Sequence, residues 1–281
     1  MNYSDDVIQF IKMAKDQEGI KFPDFNTHLN YLEFMMDESK NLSLHYSCNI
    51  QSQFIPSPLL QKKMKLIGVT YENIKGEMIA VKKEPEYAEV CCAWIPVKAY
   101  YLFYHLILVL EYLISCDTSF LQKGHHQSRK IMKSYLANKE LIFNNVIFNE
   151  VYHVKEVLNW KIPVGENIKS TSANKELRKK QILKKLIIYK KEEFKRSKNI
   201  IKLTGTNLKE FHDKVVSLFE FFYFYRVKVN YRDLEFMKEG LTPRQYQKFY
   251  LSYIQLAWNF YKAMRDCINQ LSMIRFGKNI L

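Results

Sequence analysis

Apolar positions along this chain fall mostly at steps of three and four, the spacing that lines one face of a helix. The plainest case is near the C-terminus, where Tyr246, Tyr250, Tyr253, Ala257, Phe260, Met264, Ile268 and Leu271 form one long seam. Thr242, Pro243 and Gln245 stand just ahead of it as a capping residue, a proline at the first helical position and a glutamine at the third, a complete helix-start signal. Residues 95–114, IPVKAYYLFYHLILVLEYLI, are apolar nearly all round, as suits the central helix of a bundle. Residues 28–40 and 125–136 carry clearer helical patterns than residues 5–15, and residues 161–173, with Pro, Gly and Ser, read as a loop. Residues 65–83, KLIGVTYENIKGEMIAVKK, break the rhythm, because two β-branched runs flank Asn73 to Gly76 and predict a β-hairpin.

Residues 225–232, YRVKVNYR, can be read in two ways. Tyr225, Val227, Val229 and Tyr231 alternate with polar residues, and both residue types favour strands. The wider window instead predicts a helix that starts near Asn207 and Glu210 and carries Phe211, Val215, Leu218, Phe222, Tyr225 and Val229 at steps of three or four. Six matches outweigh the local alternation. On a helix, Arg226 and Asn230 share a face, with Tyr231 one residue further round.

Composition narrows the class. The chain has 281 residues, 47% apolar and 26% charged, with only 8 Gly and 7 Pro. That is globular rather than disordered, and too sparsely punctuated for an all-β protein. The formal net charge is +14, and residues 175–198 hold eleven Lys or Arg against three Glu, a net +8. Such a concentration on one predicted helix favours an anionic partner, nucleic acid or a membrane surface, over a plain solvated face. Among its basic residues, Arg178, Lys179, Lys180, Lys184, Lys185, Lys190 and Lys191 are the candidates for holding a phosphate backbone. The five cysteines form no CxxC pair, and the opening MNYSDDVIQF lacks a basic leader. A reducing cytoplasmic setting is expected. The uncharged run at residues 99–110 is too short to span a bilayer, so no membrane span is expected.

Three segments, in order, resemble the HEPN domains of prokaryotes, in particular the small helical proteins encoded beside minimal nucleotidyltransferases. AYYLFYH (residues 99–105) is similar to that family's AYYAxFH helix. GHHQSRKIMKSYL (124–136) looks like the segment that follows. FYRVKVNYRD (224–233) resembles the stretch in which an arginine is followed, after four to six residues, by His or occasionally Tyr. The resemblance covers roughly residues 94–274. It implies a mainly α fold, a HEPN-like helical bundle over 94–281 with a basic helical insertion at about 146–205; residues 1–93, by their own pattern, read as an N-terminal α/β annex that contains the hairpin. It also implies a homodimer, and a metal-independent endoribonuclease without cofactor that acts in a toxin-antitoxin or phage-defence system beside a cognate antitoxin or defence partner. Arg226 then takes the phosphate role, Tyr231 stands where His is usual, and Asn230 completes the site.

A tyrosine with an ordinary pKa near 10 is a poor general base at neutral pH, where histidine titrates near 6.5. The site therefore reads either as a nuclease or as a non-catalytic module that binds nucleic acid or a partner protein. His105, inside the apolar helix, reads as a hydrogen-bonded core histidine. His125 and His126 read as a capping or exposed pair, with an accessory role open to them.

Overall fold

The computed structural model describes residues 25–50, 56–162, 172–231 and 242–281. The fold is a mainly helical bundle. In order it runs α1 (Phe25–Glu38), β1 (Leu44–Tyr46), α2 (Pro58–Lys83), α3 (Tyr87–Ser115), α4 (His125–Ala137), β2 (Leu141–Phe143), β3 (Tyr152–His153), α5 (Val154–Asn159), α6 (Ser172–Ser197), α7 (Gly205–His212), β4 (Val215–Val216), α8 (Phe221–Tyr231) and α9 (Pro243–Phe276). The predicted helix signal at 5–15 lies outside the described residues.

The two most strongly patterned segments form the axis. α9 starts at the expected capping box, with Thr242 accepting from the Gln245 amide, and every residue of its predicted seam is buried. Its main partner is α3, against which α2 and α8 also pack. α3 is buried over most of its 29 residues. By length and composition it is the one described helix that could cross a membrane, and most of its apolar window is covered by its neighbours. Phe260 of α9 marks the centre of the core, with Phe148 at 5.0 Å, Phe222 at 5.3 Å and Phe143 at 5.7 Å between ring centroids.

Two short antiparallel pairings pin the ends of the bundle. Leu44–Tyr46 pairs with Leu141–Phe143, and Tyr152–His153 pairs with Val215–Val216. Residues from α1, β1, α2 and α3 belong to the same hydrophobic cluster as those of α4, α6, α8 and α9.

The expected β-hairpin at 65–83 is instead the body of α2. Ser57 caps this helix by accepting from the Leu59 amide, and Pro58 occupies its first turn. Leu60, Ile67, Ile74 and Val81 are its buried residues, a step of seven that presents one narrow stripe to the bundle. Asn73 and Gly76 looked like a turn but lie on the solvent side. A second correction concerns residues 207–229, which are not one helix. The chain leaves α7 after His212, pairs as β4, makes a 3-10 turn at Leu218–Glu220 and resumes as α8. The Val154 amide donates to the Lys214 carbonyl, so the β3–β4 pairing takes up backbone groups that a continuous helix would have satisfied internally.

The helical reading of YRVKVNYR holds through Tyr231, and Arg232 lies outside the described residues. α8 is fixed before Arg226 is reached. Phe222 packs on Phe103 at 4.1 Å, Tyr225 stacks on Phe221 at 4.3 Å, and the Tyr225 hydroxyl meets His28 Nδ1 of α1 at 2.6 Å. Burial of these rings outweighs the strand propensity of the alternation.

The helical identity of α2 has a direct consequence. A Cβ added at Gly76 meets nothing within 4 Å. Gly76→Ala is expected to stabilise the protein by about 0.5–1 kcal/mol, the ordinary gain at an exposed helix interior. A shift of the urea midpoint to lower concentration would instead identify a turn.

Candidate functional site

The described parts of the three segments 99–105, 124–136 and 224–233 meet in space. α3 contributes Tyr100, Tyr101 and Tyr104, α4 contributes His125 and Arg129, and α8 contributes Tyr223 and Arg226. The Arg226 guanidinium carbon lies 5.0 Å from the ring centre of Tyr100, 5.4 Å from Tyr101 and 5.8 Å from Tyr223. The Tyr100 hydroxyl is 2.8 Å from His125 Nδ1, and the His125 ring sits 4.0 Å from that of Tyr104. One tyrosine thus touches both the arginine and the histidine.

Arg226 is 9% exposed, and among the described residues its Nε has no hydrogen-bond partner and no carboxylate pairs with it. The other buried cations all have oxygen partners. Lys179 reaches Glu150 and Glu176, Lys190 reaches Glu220, Arg129 reaches Glu193, and Arg275 donates to the carbonyls of Leu113 and Ile114. The tyrosine rings offer Arg226 cation–π attraction but leave its donors open. A guanidinium held in this way is ready for an anionic oxygen.

Burial, and after it the positive charges of Arg226 and Arg129, holds the His125 imidazole down to about 4. Burial followed by the charge of Lys63 does the same to His105. At neutral pH both rings are therefore neutral. His105 packs against Tyr101 and Tyr104, and among the described residues its Nδ1 has no hydrogen-bond partner. His126 is exposed, as read from the sequence.

Beside this cluster lies an ion network. Arg129 stacks on Tyr223 at 3.3 Å and donates to Glu193 Oε1 at 2.7 Å, and the Tyr223 hydroxyl donates to the same oxygen at 2.8 Å. Lys133 and Lys190 each stand 2.9 Å from Glu220 Oε1, with Arg129 Nη1 at 3.6 Å. Burial alone would raise the Glu220 carboxyl, but the three cations outweigh it and hold it down to about 2. Lys133 moves down to about 8, because burial exceeds the help it gets from Glu220.

The basic helix forms as predicted, with Leu177 half-buried and Ile182, Leu183, Leu186, Ile187 and Phe194 buried. Its lysines divide unequally. Lys179 and Lys190 point inward, and Lys184 donates to the Trp160 carbonyl. Arg178, Lys180 and Lys185 are half-covered, with Lys180 paired to Glu176 at 3.7 Å, and only Lys191 of the seven candidates is fully exposed. Asn230 and Tyr231 end α8, and their side chains lie outside the described part of the structure. Arg226 is thus the predicted catalytic residue whose surroundings are visible. Arg129, Tyr100, Tyr223, Glu193 and Glu220 were not picked out from the sequence. A signal existed for one of them, since His125, Arg129 and Lys133 recur at steps of four on one face of α4.

Among the described residues, no group of three or more His, Cys, Asp or Glu side chains is placed to hold a metal ion. No protein-family model, curated protein or solved structure matches the chain.

The electrostatics set two expectations. Removing the Arg226 charge in Arg226→Ala should raise the His125 midpoint above about 4 while burial keeps it below the ordinary 6.5, as an imidazole NMR titration can read. An unchanged midpoint would separate the two groups. Glu220 is held low in the folded state, so it contributes stability above its unfolded pKa of about 4.5, and this is lost as pH falls toward about 2. Glu220→Gln should therefore cost about 3 kcal/mol or more at pH 7, and much less at pH 3, in urea denaturation. An equal cost at both pH values would remove the carboxylate charge as the cause.

Proposed function

We propose that this protein is a HEPN-like, RNA-acting protein whose Arg226 binds the scissile phosphate, and that it is a metal-independent endoribonuclease. The observation that supports this reading best is the buried Arg226 guanidinium, without a carboxylate among the described residues, set between the AYYLFYH helix and the histidine-bearing helix. In the proposed reaction Arg226 neutralises a non-bridging phosphate oxygen while a ribose 2′-hydroxyl attacks phosphorus. The O2′–P bond forms, the P–O5′ bond breaks, and the products are a 2′,3′-cyclic phosphate and a free 5′-hydroxyl. The neutral His125 imidazole accepts the 2′-hydroxyl proton, which is easier once the phosphate has offset the Arg226 charge. Tyr231 is assigned as the acid toward the leaving oxygen, since phenols in general keep their proton at neutral pH.

Dimerisation fits the same reading. Tyr87, Val90, Trp94 and Tyr101 are exposed at steps of three, four and seven along one side of α3, which ends at the ring beside Arg226. We place the homodimer contact on that side, which brings two sites together. A toxin-antitoxin or phage-defence role, with a cognate antitoxin or defence partner, belongs to the same proposal.

The low midpoint of His125 favours a second reading, a non-catalytic module that uses Arg226 only to bind, because the free site presents a weak base. RNA incubated with purified protein in EDTA decides between them. The nuclease reading expects 2′,3′-cyclic ends, loss of cleavage by at least a hundredfold in Arg226→Ala, and kcat/KM that does not fall between pH 7 and 5.5, since His125 stays neutral there. Intact RNA that is bound by wild type and released by Arg226→Ala would establish the module instead.

A further inference from the structure

A groove of about 610 Å³ opens between α4, α6 and the α7–β4 turn. Its size is in the range of pockets that hold organic ligands. Six cations line it, Arg129, Lys130, Lys133, Lys190, Lys198 and Lys214, against Glu193, Glu210, Asp213 and Glu220. The excess is not evenly neutralised. Lys198 and Lys214 share the single carboxylate of Glu210, and Lys133, Lys190 and Arg129 converge on one oxygen of Glu220. Lys130 is exposed and has no carboxylate partner among the described residues.

Two buried polar atoms in the groove wall are also open. Arg129 is 6% exposed and its Nε has no hydrogen-bond partner among the described residues; the same holds for Oε2 of Glu220. The wall is shared with the Arg226 site, because Arg129 lies on the Tyr223 ring at 3.3 Å and Arg226 approaches the same ring at 5.8 Å.

We infer that this groove holds the phosphodiester backbone of a single RNA strand adjoining the phosphate at Arg226, with Lys130, Lys198 and Lys214 as its outer phosphate contacts and Arg129 at the junction. The inference rests on the Arg226 reading. It moves the strand from the outer face of α6 to the groove that α6 forms with α4. The Arg129 guanidinium, held by Glu193 and stacked on Tyr223, fixes the wall between the groove and Arg226, so that wall loses little freedom on binding. The exposed lysines add attraction without sequence readout.

The probes are 2′-O-methyl hexauridylate and dinucleotide, which lack the attacking hydroxyl, with AMP as a third. Binding is followed by fluorescence anisotropy or competition over a salt series. Lys130→Gln/Lys198→Gln/Lys214→Gln changes only partly or fully exposed side chains, and its melting curve checks the fold. The triple variant is expected to bind the hexamer at least roughly tenfold more weakly, with a salt slope smaller by up to about two, while the dinucleotide affinity is kept. Hexamer affinity equal to wild type overturns the groove and leaves the Arg226 reading standing. Loss of the hexamer in the triple variant, with normal binding of both oligomers by Arg226→Ala, supports the groove and overturns the Arg226 reading. AMP competing at the groove as well as the hexamer would make it a mononucleotide site and defeat the strand assignment. Wild-type protein that binds none of the probes defeats both.

Discussion

The Glu220 carboxylate allows the basic part of the chain to fold. It sits at 1% exposure in the 3-10 turn before α8, and one of its oxygens is shared by Lys133 of α4, Lys190 of α6 and the outer reach of Arg129. α4, α6 and the turn that leads into α8 are thereby tied at one anion. Without it, α6 would press a lysine toward two other cations in a desolvated place, and mutual repulsion would add to the burial cost of each. This placement also explains why the chain does not continue as one helix from Asn207. The β4 pairing and the 3-10 turn bring Glu220 inward and reset the start of α8, and so the heading of Arg226.

That arrangement changes what the high positive charge means. Residues 175–198 carry a net +8 in sequence, but Glu38, Glu150 and Glu220, from elsewhere in the chain, take up Lys175, Lys179 and Lys190. Much of the apparent basic face therefore fastens α6 to the bundle. A charge run on a helix is a surface property only if its acidic partners are local, and here four of them, Glu38, Glu150, Glu210 and Glu220, come from other elements. The positive character left to a ligand lies at Arg226, in the rim of the groove and at exposed positions of α6 such as Lys191.

Legibility in the sequence followed burial. α9 and α3 could be read because their faces are long, continuous and apolar, and α9 also carries its own cap. α8 was legible as a helix once its window reached back to the phenylalanines, although its start and the gap before it were not, since a two-residue pairing with Tyr152–His153 leaves no periodicity. α2 misled because its buried residues recur every seven positions, which leaves β-branched residues, Asn73 and Gly76 to set the local impression. At the site, Arg226 could be found because its segment resembles a known motif. Glu193 and Glu220 could not, because a carboxylate's service as a buried counter-ion depends on which helices meet, and nothing in its neighbours records that. Tyr225 packs in the core, whereas Tyr100 and Tyr223 have rings that face guanidinium groups and hydroxyls that hold His125 and Glu193, a service their helical spacing does not reveal.

Arg129 and Arg226 lie near the same Tyr223 ring and differ in one respect. Arg129 has Glu193 at 2.7 Å and Glu220 at 3.6 Å, while Arg226 has rings but no acid among the described residues. A structural arginine in this bundle is supplied with carboxylates or carbonyls, as Arg129 and Arg275 show. If Arg226 served only to pack, the same solution was at hand, since the bundle uses Glu193 on the neighbouring helix for that purpose. Leaving the guanidinium without an acid costs stability unless an anion arrives to complete it, and the same charge adds to the burial that holds the His125 midpoint down. Binding of a phosphate would then do two things at once: complete the arginine's hydrogen bonds and make the imidazole a better base. In the proposed reaction the order of events, anion first and proton transfer second, follows from that coupling.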